Sequence, residues 1–395
     1  MDRQPPVDLE TSPIADLERA AAGVLTANVH GYYATGARDE RTLLENEAAW
    51  GAWWFRPRRL TGVHEVSLAT ELLGRPATHP IIVAPSAGHR MAHPEGELGT
   101  AQAVAAHGGT LILSTSSNVP IEEIGAVPGL TLWFQLYPFA DLDFTDALIR
   151  RAVAAGAQAI VLTVDVTSEA DSHTLPLGGF RVPTGITWAL HSGAGHILPH
   201  LDWDYAKRVA DVGGVPVILK GILHPDDAVR AADEGFPAVV VSNHGGRTLD
   251  AAIPTAIALP DVVEAAAGRI EVYVDSGIRR GGDVLKALAL GARAALVARP
   301  ILWGLALGGG AGATTILGRL LRELREDMAF ADVADVRAIP SDLVVPARAL
   351  PPTPPEPASP APPRAAPPAS GRTRVAPPSR TAPGRCAPAS RRTPG

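Results

Sequence analysis

Cysteine is almost absent from this chain. Its 395 residues include one, Cys386, which excludes an intramolecular disulfide framework and a zinc site built on cysteine clusters. Long apolar runs are missing too: none approaches the roughly 20 residues that a membrane-spanning helix needs. The opening stretch MDRQPPVDLE has neither the basic region nor the apolar core of a signal peptide, so the expectation is a cytoplasmic protein with no membrane partner. Positive charge is scarce in the body. The formal net charge of −6 divides into −12 over residues 1–350 and +6 over residues 351–395, and an acidic body argues against nucleic acid as the main partner. Beyond about Pro346, apolar residues larger than valine nearly vanish while proline recurs as PPTPPEP, APPRAAPP and VAPPSRTAPGR. Such a segment lacks backbone donors and the apolar surface to offset ordering entropy, so residues 347–395 are expected to form a disordered Pro/Ala/Arg-rich tail.

The remaining composition, 46 % apolar and 19 % charged, is that of an ordinary soluble globular protein. Residues 13–50 read as helical, with Leu17, Ala20, Ala21 and Val24 available for packing. From residue 80 onward a short apolar strand, a polar or glycine-bearing end and an Ala-rich helical segment recur eight times. The candidate strands are Ile81–Ala84, Thr110–Ser114, Leu132–Tyr137, Ala159–Asp165, Pro216–Lys220, Ala238–Ser242, Glu271–Asp275 and Ala294–Ala298. Continuously apolar strands alternating with helices imply a parallel sheet, and eight units imply a closed (β/α)8 TIM barrel. An open doubly wound sheet would need a Gly-rich dinucleotide fingerprint after its first strand, and Pro85-Ser-Ala-Gly-His89 is not one. The chain therefore divides into an N-terminal helical segment (1–79), the barrel (80–346) and the tail (347–395).

Chemistry in such a barrel belongs at the C-terminal ends of the strands. The stretch Val241-Ser-Asn-His-Gly-Gly-Arg-Thr-Leu-Asp250 places His244 and Arg247 at one of those ends. His244 can move protons near neutrality, Arg247 offers a planar fork for a carboxylate, and Gly245 and Gly246 allow a sharp turn. A lone histidine at a strand end is more often structural. Here Ser114, Gln135, Tyr137, Thr163, Asp165 and Lys220 end neighbouring strands, and convergence of so many reactive groups on one rim is not explained by solvation. After the last two strands come Asp275-Ser-Gly-Ile-Arg279 and Ala298-Arg-Pro300, where barrels commonly bind phosphate through backbone N–H groups and a helix N-terminus. Arg279 and Arg299 would add charge-assisted bonds. His89 and His93 lie four apart, but Pro94 and the want of a third ligand leave no metal site.

These motifs, YYATGA, MAHPEGE, FQLY, TVD, LKG, SNHGGRTLD, DSGIRRGGDVLKALALGA and ARP, are specific in combination. Over residues 14–345 the chain resembles the flavin-dependent 2-hydroxy-acid oxidases and dehydrogenases, the glycolate oxidase family. The resemblance implies FMN as cofactor, held by Ala84, Pro85, Ser86, Ala87, Ser114, Gln135, Thr163, Lys220, Ser242, Asp275, Ser276, Gly277, Arg279, Ala298 and Arg299. It implies His244 as base with Asp165 orienting it, Lys220 stabilising the reduced ring, and Tyr32, Tyr137 and Arg247 holding the substrate. The implied reaction is oxidation of a 2-hydroxy acid to the 2-oxo acid with oxygen or another acceptor, in a homotetramer. A non-redox flavin isomerase would leave His244 and Arg247 without a reason, and a catalytically impaired flavin-binding paralogue would work through its tail.

Several positions depart from the family pattern. Ser168 stands where a second carboxylate-binding arginine would fall, and Arg181 is a substitute from another direction. Ser116 replaces a bulky residue over the substrate, and the lid region Ser172–His200 is short; both imply a roomier pocket and a substrate bulkier than glycolate. Ser276 and Ala298 replace glycines, which backbone binding tolerates if φ there is negative.

Overall fold

The computed structural model describes residues 7–166, 172–175, 179–191, 197–198 and 200–347. The expected tail beyond Ala347 and the Ser168 position therefore lie outside the described residues, as does part of the lid region.

Three helices open the chain, α1 (Ile14–Val24), α2 (Ala27–Ala34) and α3 (Arg41–Gly51), where the sequence reads as one helical stretch. The breaks have local causes. Thr26 caps α2 with its hydroxyl on the Val29 N–H, and Glu40 enters α3 with φ +64°. Strand β1 (Trp53–Phe55) follows, and then a hairpin, β2 (Thr70–Leu72) and β3 (Arg75–Ala77). Its turn residues Leu73 and Gly74 both have positive φ, the requirement of a tight hairpin turn.

The barrel strands are β4 (Ile81–Val83), β5 (Thr110–Ser114), β6 (Thr131–Leu136), β7 (Ile160–Thr163), β8 (Val217–Ile222), β9 (Ala238–Val241), β10 (Glu271–Val274) and β11 (Ala294–Val297). They pair in parallel, each with its neighbours in sequence, and β11 pairs with β4 to close the ring. Between and after them run α4 (Gly96–Ala106), α5 (Ile121–Gly125), α6 (Leu142–Ala154), α7 (Trp203–Gly213), α8 (Pro225–Asp233), α9 (Thr255–Ala266), α10 (Gly281–Ala289) and α11 (Arg299–Phe330). A last strand, β12 (Val344–Pro346), pairs antiparallel with β1. The eight-unit expectation holds, with strand limits shifted by at most two residues and those of β5 unchanged.

Period-two alternation divides the strand residues between two cores. Ile82, Ile112, Trp133, Val161, Ile218, Val240, Tyr273 and Leu296 fill the barrel interior together with Leu72 of the hairpin, while Ile81, Leu111, Phe134 and Val239 pack outward against the helices. The Trp133 and Tyr273 rings meet with centroids 5.8 Å apart inside the barrel. The hairpin closes the N-terminal end, so only the C-terminal end is open for chemistry. Helix α11 is long and apolar enough to cross a membrane by composition, but it bends at Gly308–Gly309 and packs on α4, α10 and α1. It is a core helix.

Candidate active site

A cavity of about 890 Å3, including its open mouth, lies at the C-terminal end of the barrel. Tyr32, Ala84, Pro85, Ser86, Ala87, Ser114, Tyr137, Lys220, His244, Arg247, Asp275, Ser276, Gly277, Arg279, Ala298 and Arg299 line it, as the sequence implies. Gln135, Thr163, Ser242 and Asp165 do not. They sit immediately behind the wall: Gln135 accepts from Ser114 and from the Thr115 N–H and donates to Thr163 at 2.9 Å, so its amide orients the strand ends.

The loop after β9 is built for one histidine rotamer. His244, Gly245 and Gly246 have φ of +58°, +68° and +75° in succession, a left-handed run that glycine tolerates and histidine does not favour. His244 Nδ1 meets Asp165 Oδ1 at 3.1 Å. With a carboxylate there, Nδ1 carries the proton and Nε2 keeps its lone pair for an incoming hydroxyl. Burial opposes the charge on Asp165, yet its contact with His244 and the positive charge of Lys220 outweigh it and hold its carboxyl below the ordinary value. Asp165 Oδ2 is buried without a hydrogen-bond partner among the described residues.

Lys220 is 3 % exposed. Its ammonium bonds Ser242 Oγ at 2.9 Å and pairs with Asp275 Oδ2 at 3.0 Å. Burial would lower its pKa, but Asp275 and Asp165 raise it, so it stays cationic at neutral pH. Two of its three N–H groups are used, which leaves one for the cavity. Ser242 Oγ also accepts the His244 N–H at 3.1 Å, so the lysine and the histidine share a hinge.

Arg247 is only partly the free fork read from the sequence. Its Nη1 donates to the Tyr32 and Thr35 carbonyls at 2.6 and 3.0 Å, and its guanidinium carbon lies 5.0 Å from the Tyr32 ring centre. The Nε and Nη2 edge remains for a carboxylate. Burial pushes the Tyr137 phenol well up, reinforced by Tyr32 and Asp165, so it is a hydrogen-bond donor at any working pH.

At the other end of the cavity stand Ser276, Gly277, Arg279 and the start of α11. Ser276 has φ +73°, contrary to the expectation of a negative value. Its carbonyl accepts from Trp50 Nε1 at 2.8 Å and from Thr255, and its hydroxyl bonds Asp275 and the Gly245 N–H. Together these contacts hold a non-glycine residue in the left-handed region. Ala298, at φ −117°, meets the expectation. Arg279 pairs with Glu47 at 2.5 Å. Arg299 is buried against the carbonyls of Tyr33, Thr35 and Gly245, and burial, aided by Arg279 and Arg247, lowers its pKa to about 9.

Two further positions singled out in the sequence lie away from the cavity. Arg181 is exposed, with its backbone bonded on both sides to the Asn28 side chain and its residue outside the cavity wall, so it does not replace a missing arginine there. Ser116 also lies outside the cavity wall: its hydroxyl meets His191 Nε2 at 3.1 Å, and His191 stacks on Trp188. Sequence reading missed Tyr33, Ile278, Leu296 and Leu302 in the wall. Leu296 was available from strand alternation, since Ala294 and Leu296 share the inward face. Among the described residues no cluster of three or more His, Cys, Asp or Glu side chains suits a metal.

The residues present suit FMN. Basic side chains and backbone N–H groups at one end match a phosphate, and a buried cation beside an apolar wall at the other matches an electron-accepting ring. Residues 21–346 match the family model of FMN-dependent dehydrogenases. An L-lactate oxidase of Nostoc sp. is 41 % identical over 360 residues, spanning 85 % of this chain and 98 % of the relative. A 4-hydroxymandelate oxidase of Amycolatopsis orientalis is 41 % identical over 82 % of this chain and 96 % of its own. The crystal structure of a mandelate oxidase superposes with a TM-score of 0.80 at 41 % identity, covering 85 % of this chain and 98 % of that one. This chain belongs to the FMN-dependent dehydrogenase family, the flavoenzymes of 2-hydroxy-acid oxidation, and is an FMN-dependent oxidoreductase.

Proposed function

We propose that the enzyme oxidises an (S)-2-hydroxy acid bulkier than glycolate to the 2-oxo acid, with oxygen as final acceptor. The observation that carries the reading is the His244–Asp165 contact at 3.1 Å, set between Arg247 and Lys220 on one rim. The Nε and Nη2 edge of Arg247 binds the substrate carboxylate, and Tyr137 donates to its oxygens. His244 Nε2 takes the hydroxyl proton, and Asp165 stabilises the imidazolium that forms. Bound FMN supplies the acceptor for the α-hydrogen and its two electrons. Lys220, itself buried, places a fixed positive charge where negative charge develops. Support for a bulky side chain comes from relatives named for mandelate and 4-hydroxymandelate. The aromatic ring of Tyr32 in the cavity wall agrees with it, backed by Phe180 with centroids 4.0 Å apart. A homotetrameric assembly and a cytoplasmic location are carried from the sequence reading as proposals, open to light scattering and cell fractionation.

Anaerobic mixing with glycolate, lactate and mandelate, followed at the visible flavin band, tests the reading. Bleaching at least tenfold faster with the aryl acid, reversed by air, is the expected result. Equal rates with glycolate and mandelate would remove the size claim. A flavin that air does not reoxidise would make the enzyme a dehydrogenase, and one that no 2-hydroxy acid bleaches would remove the substrate class.

A further inference from the structure

Asn46 lies on α3, outside the barrel, yet it is 1 % exposed and faces the catalytic loop. Asn46 Nδ2 donates to Asn243 Oδ1 at 2.9 Å, and Asn243 Nδ2 donates back to Asn46 Oδ1 at 2.7 Å. Three further bonds engage the pair. Asn243 Oδ1 accepts the Gly246 N–H at 3.1 Å, Asn243 Nδ2 reaches the Ile253 carbonyl at 3.1 Å, and Asn46 Oδ1 accepts the Thr255 N–H at 3.4 Å. The pair therefore ties both ends of the turn 243–246, the three left-handed residues His244, Gly245 and Gly246 included. Such a turn persists only where its surroundings over-determine it, and no other side chain among the described residues bonds both Asn243 and the chain beyond it. The same residue also touches the phosphate-side loop: a Cβ on Gly277 would fall 2.3 Å from the Asn46 carbonyl oxygen.

We propose that Asn46 is a positioning residue for the reaction, its amide pair with Asn243 holding the left-handed turn that aims His244 at Asp165 and at the substrate. The inference rests on His244 being the base. Charged groups around the pair are the Glu47–Arg279 ion pair and Asp250 on the α3 side, Lys286 against the Trp50 carbonyl, and the Lys220–Asp275 pair across the loop. All of them are retained in the variants below, so the unaltered enzyme is the control for their titration.

Two substitutions separate positioning from mere packing. In Asn46→Asp a neutral carboxyl keeps one donor and one acceptor for Asn243, whereas the ionised form turns two acceptors toward Asn243 Oδ1; burial raises the pKa of such a carboxyl. Asn46→Leu supplies neither group at any pH. Both are purified with FMN, and flavin content, thermal midpoint, kcat and KM are measured from pH 5 to 9 beside His244→Gln. With flavin content preserved, Asn46→Leu is expected to lose tenfold or more in kcat throughout, the scale of a misaligned catalytic group. Asn46→Asp should stay within about threefold of the parent at the acid end and fall with a new limb as pH rises. Parent-like kcat and pH profiles in both variants, with His244→Gln inactive, would overturn the positioning role while leaving the base assignment standing. Normal turnover by His244→Gln would overturn both. Asn46→Leu that fails to bind FMN leaves the decision to the Asn46→Asp limb: its presence upholds the role, its absence removes it.

Discussion

His79 shows how a single buried side chain writes a pH dependence onto the fold. It precedes β4 at 4 % exposure, and its Nδ1 accepts the Ile81 N–H at 3.3 Å while Nε2 has no partner among the described residues. Burial, with the nearby His107, lowers its pKa from 6.5 to about 4. The unfolded chain binds that proton near pH 6.5 and the folded chain only near 4, so the stability held above 6.5 drains away as pH falls between the two values. The loss is about 3 kcal/mol by linkage. Denaturant titrations should show a shallower decline from pH 6.5 to 4 in His79→Asn than in the parent. An identical slope in both would rule His79 out as the origin. Arg247 gives a second test at this scale. Lysine cannot reproduce two carbonyl bonds and a carboxylate edge at once. A charged hydrogen bond is worth about 1.5–3 kcal/mol, so Arg247→Lys should lower kcat/KM by about one to two orders of magnitude, and a change under threefold would contradict the assignment.

Among the elements, β8 shows why a strand carries a glycine beside its working residue. Lys220 points into the barrel mouth, and Gly221 follows with φ +116°. A Cβ at 221 would lie 2.6 Å from the Asp165 Cβ. The absence of a side chain is what lets Asp165 reach His244. Gly221→Ala is therefore expected to cut kcat by tenfold or more, because the carboxylate must move, with FMN still bound at the other end of the cavity. Flavin loss in step with activity would instead point to a general collapse of the rim. The helical elements were legible only in part. Apolar spacing marked residues 13–50 as helical, but the breaks at Leu25–Thr26 and near Glu40 depend on a cap and a left-handed residue that periodicity does not register.

For the whole molecule, the N-terminal segment forms part of the reaction chamber. Tyr32 and Tyr33 line the cavity, and Trp50 and Asn46 buttress the loops at its two ends. Among the described residues, those that line the wall fall between positions 32 and 302. Truncation after Ala347 should accordingly leave kcat, KM and flavin content unchanged, whereas removal of residues 1–51 should abolish flavin retention. Lost turnover on removing 348–395 would shift the working part of the chain toward its tail.

The sequence by itself determined the barrel and the identity of its reactive groups. Eight apolar runs with polar ends carry their periodicity locally, and His244, Lys220, Asp165 and Arg247 are set by residue type at strand ends. Tertiary structure alone decided how those groups share their bonds. That Arg247 keeps only one edge free, that Arg181 lies away from the cavity and that Ser116 bonds His191 depend on partners 75 to 215 residues away. The left-handed φ of Ser276 likewise follows from Trp50 and Thr255, contacts that no local pattern encodes. Local propensity sets where strands and turns begin; hydrogen-bond competition among distant segments sets what each side chain has left to give a substrate.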